Sequence, residues 1–462
     1  MSGLIGSIYN QAQALNAQST GLAVAGKNLA NVNNPSYSRQ VANFVTTANG
    51  SAAVTSVTGT RNSLIDNQIL RELMTQGSQD SQQSIASLAQ SILGEQVNTA
   101  ADQSSSTGAS SSSTSTTSAL ASALDGFFNG FSSLAADPSN DATKQTAISN
   151  SQTLVDQLNY LSKQLTQADS DVATQIDSQT SDVKGLLSDI ATLNQQIAQV
   201  EVGAPGSALD LRDARQAKLE ELGKYMNFTA QDSSLGLGQI QITVPSASGN
   251  VSILDGPNIQ GTLTYTGTGF TGGSAGTALD ITGGSLAGYQ DVRANTIQSL
   301  GTSLDSITKQ LVTSVNAAYG GNFFDPTGIH ASTIALDPSV TTSTLKTGTS
   351  GAAGANDIAT AISGLGSTTF TSSDSIQGTF SSYYNSLVTQ VGTKVSTLTS
   401  QQSNSTLVYN MLVSQRQSAS GVSTDEESTA VMVYQRAYQG NARVINIMDT
   451  LLDTVVNSLG HW

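Results

Sequence analysis

Histidine, the residue type most often used for acid–base chemistry and metal binding, occurs only twice in this sequence. His330 and His461 stand far apart, and no HExxH or other paired spacing is present. Metal sites and catalytic triads need several convergent ligands or partners. We therefore expect both histidines to be exposed polar residues, and we predict no metal and no cofactor.

Carboxylates are concentrated in the segment SGVSTDEES, where Asp425, Glu426 and Glu427 follow Ser423. Two neighbouring carboxylates can work as a general acid and a general base. However, a serine followed three residues later by a glutamate is a capping box, and acidic residues favour the N-terminus of a helix. We interpret Ser423, Asp425 and Glu426 as a helix cap rather than a catalytic group.

Other short motifs fail to complete a chemical site. The stretch DPTG (325–328) lacks the alternating ligands and closing glutamate of a calcium loop. The stretch LGLG (235–238) has no following Lys-Ser/Thr and opens no helix, so it is no phosphate cradle. No Gly-x-Ser-x-Gly elbow is accompanied by triad partners, and the absence of cysteine excludes disulfides and thiolate metal sites. The sequence predicts a protein that is not an enzyme.

Composition narrows the classes of partner. The 462 residues include 33 acidic and 18 basic side chains, for a net charge of −15, so polyanions such as nucleic acid or an anionic membrane are poor partners. No run of 18 apolar residues predicts membrane insertion. The N-terminus lacks the basic start and apolar stretch of a cleavable signal peptide, so we expect export, if any, by another route.

The first thirty residues carry an apolar repeat. Ile8, Leu15, Leu22 and Leu29 recur every seventh residue, with Leu4 at the complementary offset. This pattern predicts a helix with a narrow seam that faces one partner helix. Glycines within it each cost about 1 kcal/mol of helix stability relative to alanine. We therefore expect the helix to form stably only when it is packed.

The last thirty residues mirror this arrangement and end in a second seam. Its members alternate at spacings of three and four: Val431, Tyr434, Tyr438, Asn441, Ile445, Met448, Leu452, Val455 and Leu459. A polar asparagine in such a seam fixes register at some cost in stability. We predict that the two terminal seams pack against each other.

Between the terminal helices the periodicity changes twice. Apolar residues at spacings of three and four predict a continuous helix over about 152–200, roughly 70 Å long. A period of two, with Gly, Ser, Pro and Asn between the short runs, predicts a β-rich insertion over 228–284. The Ser/Thr-rich stretch 104–118 is too polar to pack and predicts a flexible connection.

The predicted fold is therefore mainly α with an inserted β domain: paired terminal helices forming a coiled coil, a long-helix bundle and a small β-rich outer domain. We divide the chain into three discontinuous domains. These are a terminal helical domain (1–60 with 425–462), a long-helix bundle (61–227 with 285–424) and the inserted β domain (228–284).

The segment ANVNNPSYSRQ follows the first helix and predicts its end. Pro35 disfavours helical angles in the preceding residue, and Asn31 and Asn33 tolerate turn geometry. The side chains of Tyr37 and Arg39 could contact a neighbouring subunit, but an ordinary surface turn fits the pattern equally well.

Several segments also resemble one family. KNLANVNNPSYSRQ resembles the segment after the first helix in flagellar rod, hook and hook-associated proteins, and its ending SRQ is closest to the hook-associated protein 1 family. LRDARQAKLEEL (211–222) and GGSLAGYQDVR (283–293) are similar to that family's segments on either side of its β domain. RQSASGVSTDEE (416–427) and YQRAYQGNARVI (434–445) are the most specific matches. The similarity runs in order over nearly the whole chain.

The resemblance implies a structural protein of the bacterial flagellum that is exported unfolded through the type III apparatus. It implies extracellular assembly as a ring between hook and filament, with the terminal helices forming an inner tube. The implied partners are further copies of the chain, the hook protein, the second hook–filament junction protein and an export chaperone that binds the C-terminal region.

Two alternatives stay open at this point. Nested helical ends also fit another axial protein of the flagellum, such as hook protein or flagellin. A secreted adhesin would use the β domain as its binding module and would need aromatic or charged hot spots there. Tyr265 and Phe270 are the only aromatic residues of the β domain after Phe228.

Overall fold

The computed structural model describes residues 2–94, 119–352 and 354–459. The predicted Ser/Thr-rich connection 104–118 and His461 lie outside the described residues, as do the side chains of Leu4 and Leu459. Ten α-helices are found in the described part of the chain, and they are α1 Ser2–Ala30, α2 Ser63–Ile92, α3 Ala119–Ala136, α4 Asp141–Glu201, α5 Leu209–Tyr225, α6 Gly284–Val292, α7 Ser299–Tyr319, α8 Asp357–Gly364, α9 Phe380–Ser420 and α10 Thr424–Leu459. A π-helical segment, Arg293–Gln298, joins α6 to α7, and a short 3-10 turn, Leu365–Ser367, follows α8.

The longest helix, α4, extends the predicted helix over 152–200 at both ends. It begins where the side-chain oxygen of Asn140 accepts a hydrogen bond from the backbone N–H of Ala142 at 2.9 Å, which satisfies a donor left open by the first turn. Leu154, Leu158 and Leu161 are buried at the spacing of three and four that predicted the helix.

Nine short strands form three antiparallel sheets in the described residues. The strands are β1 Gln40–Thr46, β2 Ala52–Gly59, β3 Thr229–Asp232, β4 Ile240–Val244, β5 Val251–Asp255, β6 Asn258–Ile259, β7 Thr264–Tyr265, β8 Phe270–Gly272 and β9 Thr277–Leu279. Strands β1 and β2 form a hairpin with a register shift at Asn43/Phe44. Strands β3 to β6 form a four-stranded meander and β7 to β9 a three-stranded one. The seven strands β3–β9 all fall inside the segment 228–284 that the period of two had marked.

The contacts divide the chain into two compact units, each assembled from separate stretches of sequence. Unit 1 comprises 1–77, 179–284 and 404–462. Within it, Ile65, Ile69 and Leu73 of α2 pack against Leu412 of α9 and form one buried cluster. The terminal helices, the hairpin, α5 and the two β-meanders also belong to this unit.

Unit 2 comprises 78–178 and 285–403 and has an aromatic core. Phe127 lies at the centre of this core, with the ring centroids of Phe131 and Phe324 at 5.1 and 5.9 Å. Phe323 packs edge-on against Phe131 and Phe324. Large apolar rings contribute 150–250 Å² of buried surface each, so this cluster supplies much of the cohesion of a unit that is otherwise rich in Ser and Thr.

The predicted fold class, mainly α with an inserted β domain, is confirmed. The division into three domains with the boundaries given above stays a prediction.

Candidate assembly site at the paired terminal helices

Helices α1 and α10, which come from opposite ends of the chain, pack against each other in unit 1. Near the base of the pair the amide of Asn28 donates a hydrogen bond to Oε2 of Glu427 at 3.1 Å. Farther along, Gly21 lies against the ring of Tyr434. The later residue of α10, Tyr434, thus meets the earlier residue of α1, Gly21. The two helices therefore run antiparallel.

The face that α1 presents to α10 consists of small residues. Ala17, Gly21, Ala25 and Asn28 are buried, and their spacing of four, four and three places them on one side of the helix. A Cβ atom on Gly21 would lie 2.9 Å from the ring of Tyr434 and 3.0 Å from that of Phe44. The close approach of the two helices therefore requires glycine at this position.

The leucine seam predicted for α1 occupies a different side of the helix. Ile8, Leu15, Leu22 and Leu29 are only half-buried, and they lie beside the small-residue face rather than on it. The two chain ends do pair, but in α1 it is the small residues that are buried. A heptad repeat is recognised from large apolar side chains. Close contact between two helix backbones instead requires small side chains at the interface.

On α10 the predicted seam includes Tyr434, which lies against Gly21 of α1, and most of its other members are half-buried. The half-buried members are Val431, Tyr434, Asn441, Ile445, Met448 and Leu452. Two members are more open, since Tyr438 is 38% and Val455 39% exposed. The ring of Tyr434 stacks on Phe44 of β1 with centroids 5.7 Å apart, next to the register shift of that strand, so the hairpin also packs against the helix pair.

A buried hydrogen-bond network at the base of the pair is centred on Asn28. The side-chain oxygen Oδ1 of Asn28 accepts hydrogen bonds from the hydroxyl of Tyr37 at 2.8 Å and from the backbone N–H of Gln40 at 2.9 Å. Its amide donates to the carbonyl of Gln40 at 2.8 Å and to Glu427. All four polar requirements of the amide group are thus met inside the chain, which fixes the loop after α1 against the start of α10.

Arg39 and Tyr37 both contact their own chain. The guanidinium of Arg39 donates to Oε1 of Glu427 at 2.7 Å, and Glu427 is 2% exposed. Tyr37 is buried, and burial together with the carboxylates of Asp210, Asp213 and Glu427 raises the pKa of its hydroxyl well above the usual range. Tyr37 is therefore neither a surface-turn residue nor available to a neighbouring subunit. The remaining loop residues behave as a turn, since Asn31 bonds back to the carbonyl of Lys27 while Asn33 and Pro35 are exposed.

A second polar cluster ties this loop to α2 and α5. Arg61 donates to Asp66 at 2.9 Å and to Asp213 at 2.8 Å, and it also donates to the carbonyl of Ser36 at 2.8 Å. Burial raises the pKa of the Asp213 carboxyl, although the N–H of Ser38 and the Arg61 guanidinium act in the opposite direction. Arg416 of α9 forms an ion pair with Glu220.

The predicted helix cap is partly present. The backbone N–H of Glu426 donates to the hydroxyl of Ser423 at 3.4 Å, and Asp425 lies in the first turn of α10. The side chain of Glu426 lies 3.4 Å from Arg39. The residue that sequence reasoning missed is Glu427, whose carboxylate is buried and bonded to two residues from the other end of the chain. The one sequence signal for this ion pair is Arg39 itself, a charged residue in an N-terminal segment that is almost free of charge and therefore expected to have an acidic partner.

The residues considered for chemistry make structural contacts. His330, in unit 2, lies with Nδ1 2.8 Å from Asp305, whose other oxygen accepts the backbone N–H of Ala331. Within the described part of the chain, no group of three or more histidine or acidic residues is placed to hold a metal ion. None of the described helices combines the length and apolar character needed to cross a bilayer.

The aromatic residues considered for an adhesin are used inside the β domain. Phe270 is 2% exposed, and its ring lies 5.1 Å from that of Tyr265. The hydroxyl of Tyr265 donates to the carbonyl of Gly267 at 2.7 Å.

Comparison with known proteins identifies two family models along the chain. Residues 106–323 match the flagellar hook-associated protein FlgK helical domain. Residues 413–459, which include α10, match the flagellar basal body rod FlgEFG protein C-terminal family.

Individual relatives agree with these matches. Flagellar hook-associated protein 1 of Bacillus subtilis is 25% identical over 97% of this chain and 97% of its own length. The Salmonella typhimurium protein of the same name is 27% identical over 48% of this chain and 38% of its own length. The solved structure of the flagellar hook junction protein FlgK from Burkholderia pseudomallei is similar with a TM-score of 0.46 and 21% identity, covering 56% of this chain and 44% of that one. The two family matches and the end-to-end similarity to the Bacillus protein show that the chain carries FlgK family domains and is similar to flagellar hook-associated protein 1 along nearly its whole length.

Proposed function

We propose that this protein is a structural component of the bacterial flagellum that assembles as a ring between hook and filament. Similarity to flagellar hook-associated protein 1 supports a structural flagellar role. In this role α1 and α10 form the contacts that join copies to one another. The other partners we propose are the hook protein, the second hook–filament junction protein and, before export, a chaperone that binds the C-terminal region.

The observation that carries this proposal is a second apolar stripe on α10 that α1 leaves uncovered. Val433, Ile447 and Leu451 are 57%, 61% and 50% exposed. Together with the exposed Gly440 and the half-buried Val444 they follow spacings of seven, four, three and four, which is again a seam pattern. An open stripe of this length along one helix marks an interaction surface.

The exposed end of α1 adds to the uncovered apolar surface. Ile5 is 57% and Tyr9 64% exposed. Extending the antiparallel register from the Asn28–Glu427 contact places these two residues beside the part of α10 that carries Ile447 and Leu451. Covering such side chains contributes about 25 cal/mol per Å² of apolar surface, so packing of further copies on the pair stabilises helices that are weak alone.

The low stability of the isolated terminal helices is compatible with export in an unfolded state through the type III apparatus. Assembly would then take place outside the cell. Residues 2–26 of α1 contain no charged side chain and four glycines. Glycine lowers helix stability by about 1 kcal/mol per residue, and short isolated helices are marginal in water. The terminal segments therefore pass as extended chain at little energetic cost and gain structure on assembly.

The experiment is complementation of a strain that lacks its own hook-associated protein 1. The full chain should restore attached filaments, seen by electron microscopy, and should be located between hook and filament by immunogold labelling. Chains that lack 1–30 or 431–462 should be soluble but absent from the junction. Incorporation of either truncated chain would contradict the proposed role of the helix pair.

A further inference from the structure

Two exposed arginines on α10 form a cationic strip. Arg436 and Arg443 are exposed and lie seven residues apart, which places them on the same side of the helix. Neither guanidinium forms an ion pair with any carboxylate in the part of the chain that the structure describes. By contrast, Arg39, Arg61 and Arg416 of the same unit are all paired.

The position of this strip on the helix points away from α1. Tyr434 contacts α1, and successive residues rotate by about 100° around a helix. Arg436 and Arg443 therefore lie about 180° from the α1 contact. The uncovered apolar stripe with Ile447 and Leu451 borders the strip on one side.

A complementary acidic edge lies on the same helix. Asp449 and Asp453 are exposed, and the same rotation places them between about 60° and 100° from the α1 contact, on the side of α10 opposite the apolar stripe. Each helix thus has one edge that is apolar and cationic and another that is anionic. One copy cannot bring its two edges together, since they point in different directions.

We propose that the edge of α10 bearing Arg436 and Arg443 binds a second copy of this chain through the opposite edge of that copy's α10, where Asp449 and Asp453 lie. The inference rests on the proposed function and names the contact through which copies associate. Because the two edges differ, the contact is head-to-tail, and repetition of a head-to-tail contact produces a ring or a helical array.

The electrostatics of the whole chain favour this occupant. Every copy carries a net charge of −15, so two copies repel each other unless positive charge lies at the contact. In the described part of α10, positive side chains occur only at Arg436 and Arg443, and negative ones lie at both ends of the helix. Opposite charges across an interface also fix the register between partners, which an apolar stripe alone leaves free to slide.

Charge exchange in full-length chains tests the proposal in the complemented strain. The variant R436D/R443D, and separately D449R/D453R, should lower the fraction of cells with attached filaments at least about tenfold, which corresponds to about 1.4 kcal/mol. The combined four-residue exchange should restore attachment to within about threefold of the wild-type chain, because the reversed charges again face each other. The control Q175E/Q195E, at exposed positions of α4, tests the effect of added negative charge elsewhere and should behave like wild type.

Secreted protein in the culture medium is measured for each variant, and its helix content is compared by circular dichroism, so that poor export or misfolding is recognised. Normal filament attachment by R436D/R443D would overturn the proposal. Persistent failure of the four-residue exchange, with secretion and helix content unchanged, would overturn it as well. Either result leaves the proposed function standing, since that function is tested separately by attachment with the wild-type chain and by the truncated chains.

Discussion

At the residue scale, the most informative side chain is Glu427. The capping rule explains Asp425 and Glu426 from the sequence alone, because the helix start lies next to them. Glu427 follows the same local pattern, yet its carboxylate is buried against Arg39 and Asn28, which precede it by 388 and 399 residues. No local rule relates positions so far apart in sequence.

Replacing Glu427 with glutamine should destabilise unit 1 because a buried charge pair loses one partner. Such losses cost about 3–5 kcal/mol when both partners are buried, and Arg39 is one-third exposed. We therefore expect a fall of about 2 kcal/mol in the free energy of unfolding, measured by urea titration. Glu426→Gln is the matched control, since Glu426 is 65% exposed and should change stability by less than about 0.5 kcal/mol. Equal effects of the two variants would show that burial of Glu427 is unimportant.

A second residue-scale prediction concerns the contribution of Glu201 to stability at low pH. Both side-chain oxygens of Glu201 accept bonds from Arg212 at 2.8 Å, and this partner lowers the pKa of Glu201 below its usual 4.5. A carboxyl whose pKa is lower in the folded state contributes stability above its unfolded pKa and loses that contribution as the pH falls through the folded pKa. The wild-type chain should therefore lose more stability between pH 5 and about pH 3 than Glu201→Gln.

Urea midpoints across this range measure the difference between the two proteins. The control Glu221→Gln removes a carboxylate of α5 that is half-exposed and measures the effect of losing one surface negative charge. A pH profile of Glu201→Gln parallel to that of wild type would contradict the prediction.

At the element scale, the sequence predicted the two terminal helices, their pairing and the long helix over 152–200, and the structure shows which faces of the terminal helices meet. The seam on α10 was visible because its members are large and recur at regular spacing. The α1 face was not visible, because Ala17, Gly21 and Ala25 carry almost no hydrophobic signal. These small residues matter because they leave room for the ring of Tyr434. Tyr434 belongs to α10, so the periodicity of α1 alone gives no information about it.

The glycine at the crossing of the two helices should respond to substitution in the direction opposite to ordinary helix glycines. Gly21→Ala places a methyl group 2.9 Å from Tyr434 and 3.0 Å from Phe44, and such overpacking costs about 1–3 kcal/mol. Gly26→Ala, in the same helix, meets no atom within 4 Å and should stabilise α1 by up to about 1 kcal/mol. Urea unfolding followed by circular dichroism compares the two variants. Stabilisation by Gly21→Ala would show that the helices are farther apart than described.

At the scale of the whole molecule, cohesion is unevenly distributed. Unit 2 has an aromatic core, and the part of α4 that it contains buries Leu154, Leu158, Leu161 and Leu165 almost completely. The terminal helices of unit 1 bury small residues and leave the second stripe of α10 open. Aromatic residues make up only 5% of the chain, and most of the phenylalanines are in unit 2. Unit 1 therefore has few large side chains with which to form a core. The sequence did not reveal the two-unit division, because each unit joins stretches that are distant along the chain.

This contrast predicts how the free protein exchanges its amide hydrogens. Backbone amides of α1 and α10 should exchange rapidly in the monomer, because few side chains of these two helices are fully buried, whereas residues 154–200 should be protected. Assembly should then slow exchange in both terminal helices, since neighbouring copies cover the open stripe. Deuterium uptake measured by mass spectrometry on secreted monomer and on isolated hook–filament junctions tests both statements. Slow exchange of the termini in the monomer would mean that the pair is complete without neighbours, and the uncovered stripe would then lose its role in assembly.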